Sequence, residues 1–317
     1  MIINGPNLAL INQAVNLAFM KAYEAAPSDY LEKIATVVQS ETTEEVYPMV
    51  AEIPQFREWL GDRIAHDIAT YDYKLTNRDF ELTLKLPRNK VRDDRYGIWM
   101  QTTVPMIAQN GKRKPALLVR DQLRAGHTTR CYDGQYFFDA SHPVSKFPGG
   151  GFTGVTQQNY WSGSKALNYA NYQSVRATMM AYKGESGEAL GITPNLLIVP
   201  PQLEDLGKAI VQSDTIAPNV LGAAAATQVG GQTNIYKGSA ELLVLPDLAA
   251  DATTWYLLDT SKPIKPLIYQ RRTDVVLVAQ FNPNDESVYR RKEFEWGADF
   301  SGAAGVALWF LAAKAVG

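Results

Sequence analysis

Three short patterns in this chain have residue types that could do chemistry. Gly149-x-Gly151-x-x-Gly154 has the glycine spacing of a dinucleotide fingerprint. That chemistry needs a strand before the glycines and a helix N-terminus after them, so that backbone N–H groups meet a pyrophosphate. The flanks, Lys146-Phe147-Pro148 and Thr156-Gln157-Gln158-Asn159, supply neither, and the segment reads as a loop. Ser162-x-x-Lys165 has the serine–lysine spacing of penicillin-binding enzymes, which also carry Ser-Asp-Asn and Lys-Thr-Gly. Here Ser213-Asp214 is followed by Thr215 and Lys237 by Gly238, so a helix cap with a first-turn lysine accounts for the pair. Asp93-Asp94 could work as acid and base or hold a cation. Arg92 and Arg95 flank it, and a surface ion-pair cluster is the simpler reading.

His66, His127 and His142 stand apart, without metal-ligand spacing to one another or to a cysteine. His127 follows a helix stop, where an imidazole can serve the helix C-terminus. Cys131 is the single cysteine, so no intrachain disulfide can form, and it reads as a small buried residue of a protein made in a reducing cytoplasm. No Walker loop or nucleophile elbow is present. The expectation is a protein with no enzymatic activity, no cofactor and no metal.

The 317 residues are 46% hydrophobic, enough for a substantial core. Lys plus Arg is 31 against 33 for Asp plus Glu, without the basic excess of a protein that grips nucleic acid. The basic run at Lys112-Arg113-Lys114, after Gly111, reads as a solvated interruption between helical segments. Met1 to Met20 has no Lys or Arg ahead of its apolar residues and does not read as a signal peptide. The apolar run from Gly305 to Val316 is about a dozen residues, short of the roughly 20 that span a bilayer. No membrane role is expected.

The elements alternate irregularly between helix and strand, an α+β pattern. Residues 7–24 carry helical spacing that ends near Pro27, and Ser28 to Ile34 suits a second short helix. Thr36 to Ser40 reads as extended. These short pieces resemble an arm that packs on a neighbouring subunit more than the start of a compact domain. Arg57 to Thr70 reads as helix. Tyr71, Tyr73 and Leu75 then alternate, Thr76-Asn77-Arg78-Asp79 offers a turn, and Phe80, Leu82, Leu84 and Leu86 alternate again. Two period-two runs about a polar turn predict a β-hairpin. A ribbon that long is marginal alone in water, so its side chains need another surface. Tyr96 to Gly126 is the longest helical stretch, with a kink expected at Pro105 and a restart at Pro115. Thr129 to Asp139 looks strand-like, 145–164 loop-like, and Lys165 to Lys183 helical. Ala223 to Gly231 is small and flexible in composition. Strands follow at Leu196–Val199, Glu241–Leu245, Thr254–Leu258, Leu267–Gln270 and Val275–Gln280, with more in the tail.

Several segments in order resemble the major head subunit family of Mu-like phages and prophages. They are Phe56-Arg57-Glu58-Trp59-Leu60-Gly61-Asp62-Arg63, Leu86-Pro87-Arg88-Asn89 and Asp93-Asp94-Arg95-Tyr96-Gly97. After the long helix come Cys131-Tyr132-Asp133-Gly134-Gln135-Tyr136-Phe137-Phe138-Asp139 with His142-Pro143, then Leu190-Gly191-Ile192-Thr193-Pro194-Asn195, Ile198-Val199-Pro200-Pro201 and Trp255-Tyr256-Leu257-Leu258-Asp259.

The resemblance implies the Hong-Kong-97-type capsid fold of tailed bacteriophages. An N-terminal arm is expected over 1–55 and an extended loop, as the β-hairpin, over 62–95. A peripheral domain over 96–184 would hold a spine helix at 96–125. An axial domain would span 185–280, and 281–317 would return to the peripheral domain. The implied role is self-assembly, as hexamers and pentamers of a closed virion shell around double-stranded DNA that is enclosed without strong specific binding. Scaffold or protease, portal and decoration proteins are the implied partners. Tyr71, Tyr73, Leu75, Phe80, Leu82 and Leu84 become candidate assembly contacts, and Gly61 and Gly97 candidate hinges. The rival readings are an encapsulin-like compartment of the same fold and a soluble hydrolase built on Ser162.

Overall fold

A computed structural model describes residues 5–27, 30–50, 70–93, 96–144, 155–184, 187–216, 232–282 and 284–317. The expected helix over 57–70 lies outside the described residues up to 69, and its last residue, Thr70, begins a strand; Ser28, Asp94 with Arg95, the 149–154 glycines, the 223–231 stretch and Gly61 also lie outside. The chain starts with α1 (Gly5–Ala25), in which Leu8, Ile11, Val15 and Phe19 recur every three or four residues and are all buried. One helical turn, α2 (Leu31–Ile34), leads into β1 (Ala35–Gln39). β2 (Glu44–Val50), β3 (Thr70–Thr76) and β4 (Arg78–Pro87) follow, then α3 (Arg88–Arg92) and α4 (Tyr96–Ala125). Next come β5 (His142–Pro143), β6 (Thr156–Gln157), β7 (Tyr160–Trp161), α5 (Tyr169–Met180) and β8 (Leu196–Val199). α6 (Glu204–Val211), β9 (Thr215–Ile216), β10 (Gln232–Thr233), β11 (Glu241–Val244) and β12 (Thr254–Leu258) continue the chain. It ends with β13 (Leu267–Gln280), α7 (Glu286–Arg291), β14 (Glu293–Val306) and β15 (Ala312–Val316).

Two sheets organise these elements. One has four strands in the order β1-β13-β14-β4, the other five in the order β11-β8-β12-β15-β7. The two short strands expected at 267–270 and 275–280 are one 14-residue strand, bulged on either side of Thr273, where the Ser301 N–H is satisfied by the Thr273 hydroxyl at 2.7 Å. β13 thus lies in the four-stranded sheet from Leu267 onward. β15 then leaves that sheet and inserts between β12 and β7 of the other. Thr129 to Asp139 forms turns around one Arg130–Tyr136 bridge instead of a strand. Its apolar residues serve a different end, since Phe137 and Phe138 are both buried edge to face.

Within this chain, α1 and β1 pack onto the rest of the fold. The buried stripe of α1 joins Val104, Ile107 and Ala108 of α4 and Phe294 and Trp296 of β14 in one core. β1 pairs in parallel with β13 from Ala35–Leu267 to Gln39–Arg271. A second, larger core holds Ala116, Val119 and Leu123 of α4, the α5 residues Tyr172, Val175 and Met179, and the strands of the five-stranded sheet. α4 thus crosses from one core to the other along about 45 Å of helix.

That helix is continuous through both prolines. The expected break near 111–114 is absent because each basic side chain there has a partner. Lys112 lies 4.7 Å over the Tyr23 ring of α1, Arg113 pairs with Asp247, and Lys114 lies 5.5 Å over Phe80 of β4. Gly111 lets α4 press onto β13, since a Cβ there would sit 3.0 Å from Val275 Cγ1. Gly126 ends the helix for the same kind of reason: a Cβ would lie 2.6 Å from the Phe138 ring.

Lys314 ties β15 to the end of α4. It is 6% exposed, its Nζ donates to the Arg124 carbonyl at 3.0 Å, and it sits 3.1 Å from His127 Nδ1. Burial pushes its ammonium down to about 8, partly opposed by Asp251 and aided by Arg124. The unfolded chain keeps that proton up to the ordinary lysine range near 10.5, so Lys314 makes stability rise with pH across that window. The melting-temperature difference between the native chain and Lys314→Met should therefore grow in favour of the native chain as pH goes from about 8 towards 10. The buried tyrosines are common to both chains and cancel in that difference. A difference independent of pH would contradict this account.

Candidate assembly interface

β2 and β3 form an antiparallel ribbon in the register Glu44–Thr76 to Val50–Thr70. Two facts correct the expected hairpin. β3 pairs with β2 instead of β4, and β4 pairs with β14 along its whole length, from Arg78–Gly302 to Pro87–Glu293. Asn77 causes the switch. Its N–H donates to the Thr43 carbonyl, and its side-chain amide donates to Ser40 Oγ at 2.9 Å and the Thr42 carbonyl at 2.8 Å. These bonds hold the chain where it passes from ribbon to sheet. The polar run 41–45 and Pro48 give β2 no strand signal in the sequence.

The ribbon is rooted on the β13–β14 pair. The Tyr47 hydroxyl donates to Gln270 Oε1 at 2.8 Å, and the Tyr73 hydroxyl accepts from the Val306 N–H at 3.3 Å. Gly305 makes this fit possible, because a Cβ there would lie 3.0 Å from the Tyr73 hydroxyl and 3.2 Å from Leu75. Ser40 and Thr42 hydroxyls each donate to Glu45 at 2.9 Å and hold its carboxyl below the usual carboxylate range. Lys74 pairs with Glu44 across the strands at 2.7 Å.

The candidate contacts separate accordingly. Tyr71 stands opposite Met49 in the ribbon, and Tyr73 and Leu75 are half-buried in its root. Phe80 stacks on Phe300 at 5.0 Å within the subunit, and Leu84 packs against the α1–α4 core. Leu82 remains 39% exposed, in a groove of about 290 Å³ between α4 and the sheet with Ile107, Asn110 and Lys114. Gly97 lies in the first turn of α4 with open space where a Cβ would go.

Lys165, Cys131 and His142 each have a partner in the fold. Lys165 Nζ reaches Ser174 rather than Ser162, and the cap of α5 is Asn168, whose side chain accepts from the Asn171 N–H. Cys131 is buried, its thiol donates to the Ala307 carbonyl at 3.4 Å, and burial pushes it up. His142 is wholly buried, with Nδ1 2.6 Å from Asp133 and its ring stacked 4.0 Å from Trp309. Among the described residues no group of three or more His, Cys, Asp or Glu side chains could hold a metal, and no helix is long and apolar enough to cross a membrane.

A helix bridging two cores, a sheet of long strands and a rooted ribbon make a tailed-phage capsid fold of the Hong-Kong-97 type. The procapsid subunit of bacteriophage JBD30 matches 99% of this chain and 76% of its own, with a TM-score of 0.62 and 25% identity. The Mu-like prophage FluMu major head subunit of Haemophilus influenzae is 26% identical over 93% of this chain, and the major capsid protein of Escherichia phage Mu 28% identical over 94%. This chain spans 68% and 70% of those relatives. The model of the Mu-like prophage major head subunit gpT matches residues 8–160, 149–248 and 247–316, and the chain belongs to that family. It is a major capsid protein of a tailed phage, a component of the virion shell.

Proposed function

We propose that copies of this chain close into an icosahedral shell of hexamers and pentamers around double-stranded DNA, with the β2–β3 ribbon lying on an adjacent copy. The observation that carries this is the ribbon itself: its root is fixed on Gln270 and Val306, yet it pairs with no other strand among the described residues. Two strands alone bury too little to be stable in water, so a partner surface completes them. Each such contact is weak, and a closed shell engages many at once. Gly61 and Gly97 would serve as hinges between non-identical positions. Assembly would take place in the host cytoplasm with scaffold or protease, portal and decoration proteins. The near-balanced charge suits a wall that encloses DNA without gripping it. The subunit would act without turnover.

The test removes 41–76 and joins Ser40 to Asn77, whose side chains already meet at 2.9 Å, through a short glycine linker. The shortened chain should keep its circular dichroism and a cooperative melt, and electron microscopy should show no closed particles. Normal shells would overturn the proposal. Removing β4 as well should unfold the peripheral core, because β4 carries Leu86 into it.

A further inference from the structure

One end of the four-stranded sheet carries cationic and aromatic side chains; there Lys85 and Arg291 share Glu295, and the other cations find little acidic pairing among the described residues. There α3 follows β4 and α7 precedes β14, joined by the Arg88 N–H donating to the Lys292 carbonyl at 2.9 Å. Arg88, Lys90 and Lys292 are exposed, with no acidic partner among the described residues. Arg290 reaches Glu286 only at 3.4 Å with its side chain 71% exposed, and Tyr289 beside it is 80% exposed. The contrast is with the other basic run, whose members at 112–114 are each engaged by a ring or a carboxylate.

The ribbon has the opposite character. Its described residues hold Glu41, Glu44, Glu45 and Asp72 against Lys74 alone. Glu44 takes Lys74, Glu45 is held by hydroxyls, and Glu41 and Asp72 have no cationic partner among the described residues. The ribbon root sits at Gly305 and Val306, the last residues of β14, whereas the cationic surface begins at Glu293, its first. Fourteen extended residues separate them by about 40 Å. At that distance their charges are screened from each other within one subunit. Between copies they match, and two complementary patches at opposite ends make a heterologous contact, the kind that closes into rings.

We propose that the surface formed by Arg88, Lys90, Tyr289, Arg290 and Lys292 receives the acidic base of the ribbon, around Glu41, Glu44 and Asp72, of a second copy of this chain, head to tail. This rests on the reading that the ribbon lies on an adjacent copy, and it names the surface. Opposed charges of this kind chiefly set partner choice and encounter rate, while an exposed tyrosine supplies contact area.

Charge exchange tests it. Arg88→Glu, Lys90→Glu and Lys292→Glu together should cut shell yield at least tenfold while the subunit still melts cooperatively. Glu41→Lys, Glu44→Lys and Asp72→Lys together should do the same, and the chain carrying all six should regain assembly. If the glutamate set unfolds the subunit, Arg88→Gln, Lys90→Gln and Lys292→Gln should lower the yield at least fivefold with the fold intact. Normal shells from either reversed or neutralised surface, or no recovery in the six-fold chain, would overturn the proposal. Normal shells holding several-fold less DNA would overturn it too, assigning the patch to nucleic acid. Removal of 41–76 separates the two levels. If that chain fails to assemble while the reversals have no effect, the ribbon docks elsewhere and only this surface is wrong. If it assembles normally, both fall.

Discussion

Trp255→Ala should destabilise the subunit by about 3–5 kcal/mol, the range for emptying a large buried aromatic site. Trp255 is 0% exposed on β12, the middle strand of the five-stranded sheet. It belongs to the core shared by the sheet, α4 and α5, elements that hydrogen bonds fix in place, so the site can collapse only in part. The indole N–H also donates to the Lys165 carbonyl at 2.8 Å. Trp255→Phe keeps much of the ring volume and loses that bond, so it should cost less, about 1–3 kcal/mol. Urea unfolding of the unassembled subunit should rank native, then phenylalanine, then alanine. An alanine variant within about 1 kcal/mol of native would mean that the sheet repacks freely, against this structure.

His142→Ala should have an effect of similar size for a different reason. The ring is wholly buried, and both its nitrogens face oxygens: Asp133 at 2.6 Å from Nδ1, and Asn159 Oδ1 at 3.2 Å from Nε2. Asn159 cannot turn over, because its amide nitrogen donates to the Phe137, Trp309 and Ala312 carbonyls and its oxygen accepts from the Asp139 N–H. The Asp133 carboxylate that faces Nδ1 is itself nearly covered. Deleting the ring leaves that carboxylate buried without its partner, a loss of about 3–5 kcal/mol. Asp133→Asn in the alanine background should restore about 1 kcal/mol or more, making the pair strongly non-additive. Additive costs would show that the histidine acts through packing on Trp309 alone.

This cluster shows how much of the molecule was legible beforehand. The segment from Cys131 to Asp139 with His142-Pro143 stood out as a family mark, and its residues are local. Nothing in the sequence joined Asp133 and His142 to Asn159 and Trp309, because that contact depends on where β15 and the turn before it are laid. The same limit applied to the ribbon. Period two placed β3 and β4 correctly, but periodicity carries no information about which strand is the partner. Adjacent strands in sequence commonly pair, and here β14, more than 200 residues on, competed successfully for β4 by offering ten register positions and a core face. The basic run at 112–114 misled for a related reason. Charge in a row looks solvated until rings and carboxylates from α1, β4 and Asp247 are brought beside it.

The sequence by itself determined the class of elements, the long helix, the buried strands, the absence of a recognisable catalytic constellation and, through its ordered segments, the capsid family. These are local quantities, set by residue type and spacing along a few turns or one strand. Only the tertiary structure decided that the first helix packs on α4 and β14, that β15 inserts into the five-stranded sheet, and that β2 and not β4 completes the ribbon. Those outcomes depend on which distant surfaces bury each other best, a competition that no short stretch of sequence can resolve.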